Sequence, residues 1–193
     1  MEADLDFEND ISAAITVLRS GGLILYPTDT IWGIGCDATV PEAVSKVYAL
    51  KQRAETKSLI VLMTDPRDIL KYTSQPDPRI FDFLKTMRKP TTVIYEGAIG
   101  VAPNLIGADG TIGIRIVNDL FCRHLIKRFR RPIVSTSANM SGEPSPALYR
   151  EIDPRILSGV DYIVHYRRDD ETPKQPSAIV KWNVDGPPTI IRP

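Results

Sequence analysis

The chain has 193 residues, with 24 Lys plus Arg against 24 Asp plus Glu, so its formal net charge is zero. That length suits one α/β domain with a sizeable core, and the neutral balance excludes a general electrostatic attraction to nucleic acid while leaving room for a local basic patch. The two cysteines, Cys36 and Cys122, lack metal-ligand spacing, the acidic start MEADLDFEND lacks a signal-peptide core, and no apolar run approaches the ~18 residues of a membrane span, so a soluble cytoplasmic protein with reduced, buried thiols and no membrane contact is expected.

The first predicted element is a helix over residues 8–20, with Ile11, Ala14, Ile15 and Leu18 on one face and Gly21-Gly22 ending it. A buried strand over 22–26 stops at Pro27. The segment PTDTIWGIGCDA (27–38) follows. Gly33, Gly35 and Ala38 mimic a dinucleotide fingerprint, but six residues separate Gly33 from the strand, where the fingerprint requires an immediate turn into a helix. The glycines instead suit a second short strand passing close to another backbone or a ligand. Thr39, Pro41 and Glu42 compose a capping box for a helix to about Leu50. Lys51 and Arg53 stand at its C-terminal end, where cations commonly complement the helix dipole.

Residues 58–63 form an apolar run suited to a central strand. Asp65-Pro-Arg and Asp77-Pro-Arg each open a short helix, Pro90 breaks the second, and 91–95 is a β-branched strand. After an irregular stretch over 96–110, strand 111–117 carries a single arginine, Arg115, which either faces water or meets an anion. A helix over 119–130 ends in Lys127, Arg128, Arg130 and Arg131, which read as a solvated helix end. Ile133-Val134 leads into STSANMSGEPSP (135–146), whose hydroxyl and amide groups suit either an ordinary turn or a polar ligand at a strand end. A short helix near 147–157, a strand over 160–166, a loop-like RRDDETPKQ (167–175) and strands over 176–182 and 189–191 complete the chain. Several strands adjoin without helices, which favours a twisted mixed sheet with helices on its faces over a regular doubly wound one.

The chemistry-bearing residues are unusual in what they omit. His124 lies in a helix and His165 in a strand, and both read as structural. No G-x-S-x-G, H-E-x-x-H, C-x-x-C or G-x-x-x-x-G-K-S/T occurs. What remains is a set of cations (Lys51, Arg53, Arg115, Arg192) and of hydroxyl or amide groups (Thr28, Thr111, Ser135, Ser137, Asn139, Ser145, Ser177). That inventory suits reactions driven by positioning and charge neutralisation, with phosphoryl and nucleotidyl transfer as leading examples.

The succession YPTDTIWGIGCDA, KQR, STSANMSG, PSAIV and a closing IIRP resembles the YrdC/TsaC family of threonylcarbamoyl-AMP synthases, in order and over residues 22–193. The resemblance implies a single YrdC-like domain over 1–193. Its fold would be a twisted, largely antiparallel mixed sheet with flanking helices and a large concave ligand cavity. It implies that L-threonine, bicarbonate (or CO₂) and ATP give threonylcarbamoyl-AMP and pyrophosphate for the tRNA N6-threonylcarbamoyladenosine modification. Lys51 and Arg53 would meet the ATP phosphates. Ser137 and Asn139, with Ser145 and Thr111, would sit beside the nucleotide, and Arg192 would close over it. Thr28, Arg115, Ser135 and Ser177 would hold threonine or its carbamate. Mg²⁺ or a similar divalent cation would ride on the ATP phosphates, with no protein-ligated metal. Expected partners are the tRNA threonylcarbamoyl-transfer machinery and tRNA or double-stranded RNA.

Three departures from the family pattern stand out. RKPTT (88–92) replaces P-G-P-(L/V)-T, IRIVNDL (114–120) replaces (V/I)-R-x-P-x-H-P, and Leu62 stands where longer members carry a histidine. They keep open a paralogue acting on a related acyl-adenylate or nucleotide. A non-enzymatic RNA-binding module is the third reading, and the zero net charge counts against it.

Overall fold

The structure, a computed structural model, describes residues 7–55 and 59–193. Ser58, the expected first residue of the third strand, and the acidic residues 1–6 lie outside the described residues. The strands are β1 (Ile24–Tyr26), β2 (Gly33–Gly35), β3 (Ile60–Met63), β4 (Thr91–Tyr95), β5 (Ile112–Ile116), β6 (Ile133–Ser137), β7 (Tyr162–Ile163), β8 (Ala178–Lys181) and β9 (Thr189–Arg192). They form one sheet in the order β7-β1-β2-β6-β3-β5-β4-β8-β9. The pairs β1/β7, β3/β5 and β4/β8 are parallel and the other five antiparallel, so the sheet is mixed and mostly antiparallel. Among the described residues six α-helices flank it: α1 (Glu8–Arg19), α2 (Pro41–Lys51), α3 (Ile69–Tyr72), α4 (Arg79–Thr86), α5 (Leu120–Phe129) and α6 (Pro154–Gly159).

The two-residue alternation of strands separates a core face from a cleft face. One register row runs Val134, Val61, Ile114, Val93, Val180. All five side chains are buried, each contributing roughly 1.5–3 kcal/mol by removal from water. The neighbouring row on the opposite face runs Ile133, Leu62, Arg115, Thr92, Ile179, Arg192. The next row on that face runs Ser135, Ile60, Gly113, Ile94. A single-residue offset along each strand therefore divides valine core from a floor that carries arginine, serine and threonine.

Two glycines let β2 lie flat on its neighbours. A Cβ on Gly35 would stand 2.6 Å from Tyr26 Cε1 and 2.9 Å from the Val134 carbonyl, and one on Gly33 would stand 3.0 Å from Ser135 Oγ. The fully buried Tyr26 uses the space, its hydroxyl donating to the Val134 carbonyl at 3.1 Å.

The Asp-Pro-Arg triplets act as helix starts through one repeated device. Asp65, Asp77 and Asp153 each accept the backbone N–H two residues on, at 2.9, 3.0 and 2.7 Å. The arginine of each triplet folds back on the same carboxylate. The expected capping box at residue 39 does not form. Asp37 Oδ1 takes both the Thr39 N–H, at 2.8 Å, and its hydroxyl, at 2.7 Å, so α2 starts at Pro41 with Val40 as an uncapped N-cap. The strand expected over 160–166 shrinks to Tyr162–Ile163. The Asp10 carboxylate of α1 accepts the His165 N–H at 3.0 Å and the Tyr166 N–H at 2.8 Å, removing them from any ladder. Both cysteines are free and buried. Among the described residues no helix is long and apolar enough to cross a membrane.

Candidate active site

The cleft face carries an open cavity of about 200 Å³. Of the residues expected at a site, Arg53, Arg115, Ser135, Ser137, Ser145, Ser177 and Arg192 line it, together with Thr30, Trp32 and Gly33. Residues more than 130 positions apart in the chain are brought together by β6, β5 and the β8–β9 hairpin.

Arg115 sits in the floor row and is 3% exposed. It meets an anion rather than water: Nη2 lies 3.2 Å from Asp29 Oδ1 and 3.4 Å from Thr28 Oγ1. The Asp29 contact is an ion pair off the line a hydrogen bond needs, and Arg115 Nε and Asp29 Oδ1 are both buried with no hydrogen-bond partner among the described residues. Arg115 also lines the cavity, where a guanidinium can pair with a carboxylate or phosphate. Arg192 lies in the same register row three strands away. Its Nε and Nη2 donate to the Ser177 carbonyl at 2.9 and 2.7 Å, while burial first and Arg115 second lower its pKa. The Ser177 hydroxyl bonds Thr92 Oγ1 at 2.9 Å.

Thr28 stands one step behind the cavity. Its hydroxyl bonds the Ile31 carbonyl at 2.9 Å and accepts the Thr30 N–H at 3.0 Å, closing the 28–31 turn. Lys51, at the end of α2, is 1% exposed and does not line the cavity. Its ammonium donates to the carbonyls of Ser137 and Asn139, the latter at 2.5 Å, and Ser141 N–H returns a bond to the Lys51 carbonyl at 2.9 Å. Burial first, and Arg53 second, push its pKa down to about 8. No carboxylate among the described residues pairs with it within ion-pair distance. Burial likewise lowers Arg53.

Lys51 thus shapes the wall of the cavity formed by residues 135–146. Asn139 does not line the cavity; its Nδ2 donates to the carbonyls of Met140 (2.9 Å) and Glu143 (2.7 Å), with Oδ1 buried and without a partner among the described residues. Thr111 is not brought to the cavity; its hydroxyl donates to Asp109 Oδ1 at 2.6 Å in the turn before β5. Both histidines are structural. His124 meets the Phe7 ring edge-on, and His165 Nδ1 lies 3.0 Å from Asp10. The sequence reasoning missed Asp29 as the counter-ion of Arg115, although it lies inside the quoted PTDT, and it missed Trp32, which packs on Tyr149 at 4.9 Å between ring centroids.

Three arginines and four serines line this cavity, with a buried lysine behind one wall, which defines the class as an α/β protein with a cationic, hydroxyl-lined cleft. The family follows from comparison. Residues 16–193 match the Sua5–YciO–YrdC family, which carries the description telomere recombination. The chain belongs to that family. It is 33% identical over 175 residues to the threonylcarbamoyl-AMP synthase of Pseudoalteromonas translucida, covering 89% of this chain and 92% of that protein. It is 34% identical over 160 residues to the enzyme of the same name from Stenotrophomonas maltophilia, covering 81% and 86%.

Solved structures agree on the fold. P. abyssi Sua5 complexed with L-threonine superimposes with a TM-score of 0.84 at 23% identity, over 96% of this chain and 54% of that one. E. coli YciO gives 0.82 at 24%, over 95% and 88%. The chain therefore spans about half the length of the P. abyssi protein and most of the length of the synthases.

Proposed function

We propose that this protein is an L-threonylcarbamoyladenylate synthase, forming threonylcarbamoyl-AMP and pyrophosphate from L-threonine, bicarbonate or CO₂ and ATP. The observation that carries the reading is Arg115, buried on the floor of a cavity that Arg53, Ser135, Ser137 and Ser177 also line. In this reading the two ends of the cavity divide the substrates. Arg115 takes the amino-acid carboxylate, with Thr28, Ser135 and Ser177 around it. Ser137 and Ser145 flank the nucleotide, Asn139 and Lys51 hold the wall behind them, Arg53 faces its phosphates, and Arg192 covers it.

The threonine amine takes up CO₂ as a carbamate, and a carbamate oxygen attacks the α-phosphorus in line. The α–β phosphoanhydride bond breaks and its electrons leave with pyrophosphate. No protein nucleophile is needed; Arg53 offsets the growing negative charge, and Lys51 acts through the 137–139 backbone that it holds in place. A divalent cation bound to ATP would add charge neutralisation at the phosphates. Its ligands in this reading are phosphate oxygens of ATP. The reading carries with it a cytoplasmic setting and delivery of the adenylate to a tRNA-modifying system.

The test is pyrophosphate release with each substrate omitted in turn. Release that needs ATP, L-threonine and bicarbonate together supports the assignment, and release from ATP alone rejects it.

A further inference from the structure

Arg167 opens the RRDDETPKQ segment with φ of 64°, a left-handed backbone that side chains other than glycine rarely adopt. The segment is anchored on both sides of it. Asp10 fixes the N–H groups of His165 and Tyr166. Arg168 Nε donates to the Val164 carbonyl at 2.8 Å and lies over the Tyr149 ring. From this base the Arg167 side chain reaches back across 139 residues of sequence, and Nη2 donates to the Thr28 carbonyl at 3.0 Å. The same nitrogen lies 3.1 Å from Asp119 Oδ2. Asp119 in turn caps α5 through Oδ1, which accepts the Cys122 N–H at 2.9 Å. The Thr28 hydroxyl, one side-chain length from the carbonyl that Arg167 holds, closes the 28–31 turn and touches Arg115.

A relay thus runs from the anchored segment through Arg167 to Thr28 and on to the cavity floor. We infer that Arg167 is a positioning residue for the amino-acid end of the cavity, holding the 28–31 turn where Thr28 and Asp29 fix the Arg115 guanidinium. The inference rests on the reading of the Arg115 end as the amino-acid end. Glycine would relax the left-handed backbone here, so Arg167→Gly removes the guanidinium without adding backbone strain.

The test uses the full chain and two readouts. Amide hydrogen exchange needs no substrate. In Arg167→Ala the Thr30 N–H, bonded to Thr28 Oγ1, exchanges about tenfold faster than in the parent, while amides of β4 and β5 stay unchanged. In steady-state kinetics the KM for L-threonine rises about tenfold, with the KM for ATP within about twofold and kcat within about threefold. Arg167→Lys recovers part of both effects by keeping one donor and the charge. Arg167→Gly matches Arg167→Ala in both readouts at equal or higher melting temperature, which separates loss of the tether from loss of stability. Unchanged exchange at Thr30 in Arg167→Ala, or a joint shift of kcat and both KM values, overturns the inference. A parent protein without L-threonine-dependent turnover rejects the proposed function instead, and exchange at Thr30 still decides whether the tether exists.

Discussion

Lys51→Met keeps the length of the side chain and removes its charge. In the fold the ammonium is almost fully enclosed and bonds two carbonyls, those of Ser137 and Asn139. Holding the pKa at about 8 instead of 10.5 makes charging it about 3 kcal/mol harder in the fold than in water. The depressed value means that the unfolded chain binds the proton more tightly. Lys51 therefore lowers stability below pH 8, and that penalty fades as pH rises from about 8 to 10.5. Methionine removes the penalty but strands two carbonyls, at about 1–3 kcal/mol each. The net runs from a gain of about 1 kcal/mol to a loss of about 3, so the melting temperature at about pH 7 should rise by no more than about 4 °C and fall by no more than about 12 °C. Activity should also fall, because Lys51 holds the Ser137–Asn139 wall and a misplacement of about 1 Å in a positioning group lowers the rate about 10²-fold. Pyrophosphate release and calorimetry between about pH 7 and 10 measure both. Turnover within about threefold of the parent refutes the reasoning. So does a stability rise above pH 8 that persists in the variant.

Arg115→Ala should raise the KM for L-threonine about ten- to hundredfold, the range for a lost charged hydrogen bond, and leave the KM for ATP nearly unchanged. Gly35→Ala forces a methyl to 2.6 Å from Tyr26 Cε1 and 2.9 Å from a backbone carbonyl; denaturant titration should show a loss of about 2 kcal/mol or more. Arg130→Gly, at φ of 63° just past α5, should stabilise the chain by about 1 kcal/mol in the same titration.

Much of this site was legible from residue type and spacing. The β-branched runs placed β4, β5 and β6, and the glycine pair of β2 read correctly as a close approach of backbones. Seven of the eleven expected site residues line one cavity. What escaped the sequence depends on contacts between distant segments. Nothing local distinguishes Thr39 as an N-cap from Thr39 bonded to Asp37. Arg115 gave a choice between water and an anion, and only the register and the turn beneath it bring Asp29 within reach. Arg167 looked like part of a loop, because its partners Thr28 and Asp119 come from another turn and a helix start. The same applies to Lys51: helix-end capping explains a cation there, and only the fold shows it closed in beneath residues 137–139.

The central claim is tested most directly by mass spectrometry of the product formed from ATP, L-threonine and ¹³C-bicarbonate. The account predicts threonylcarbamoyl-AMP carrying the label in its carbamoyl carbon, with pyrophosphate formed in equal amount. An adenylate without the label, or AMP and pyrophosphate formed without L-threonine, would contradict it.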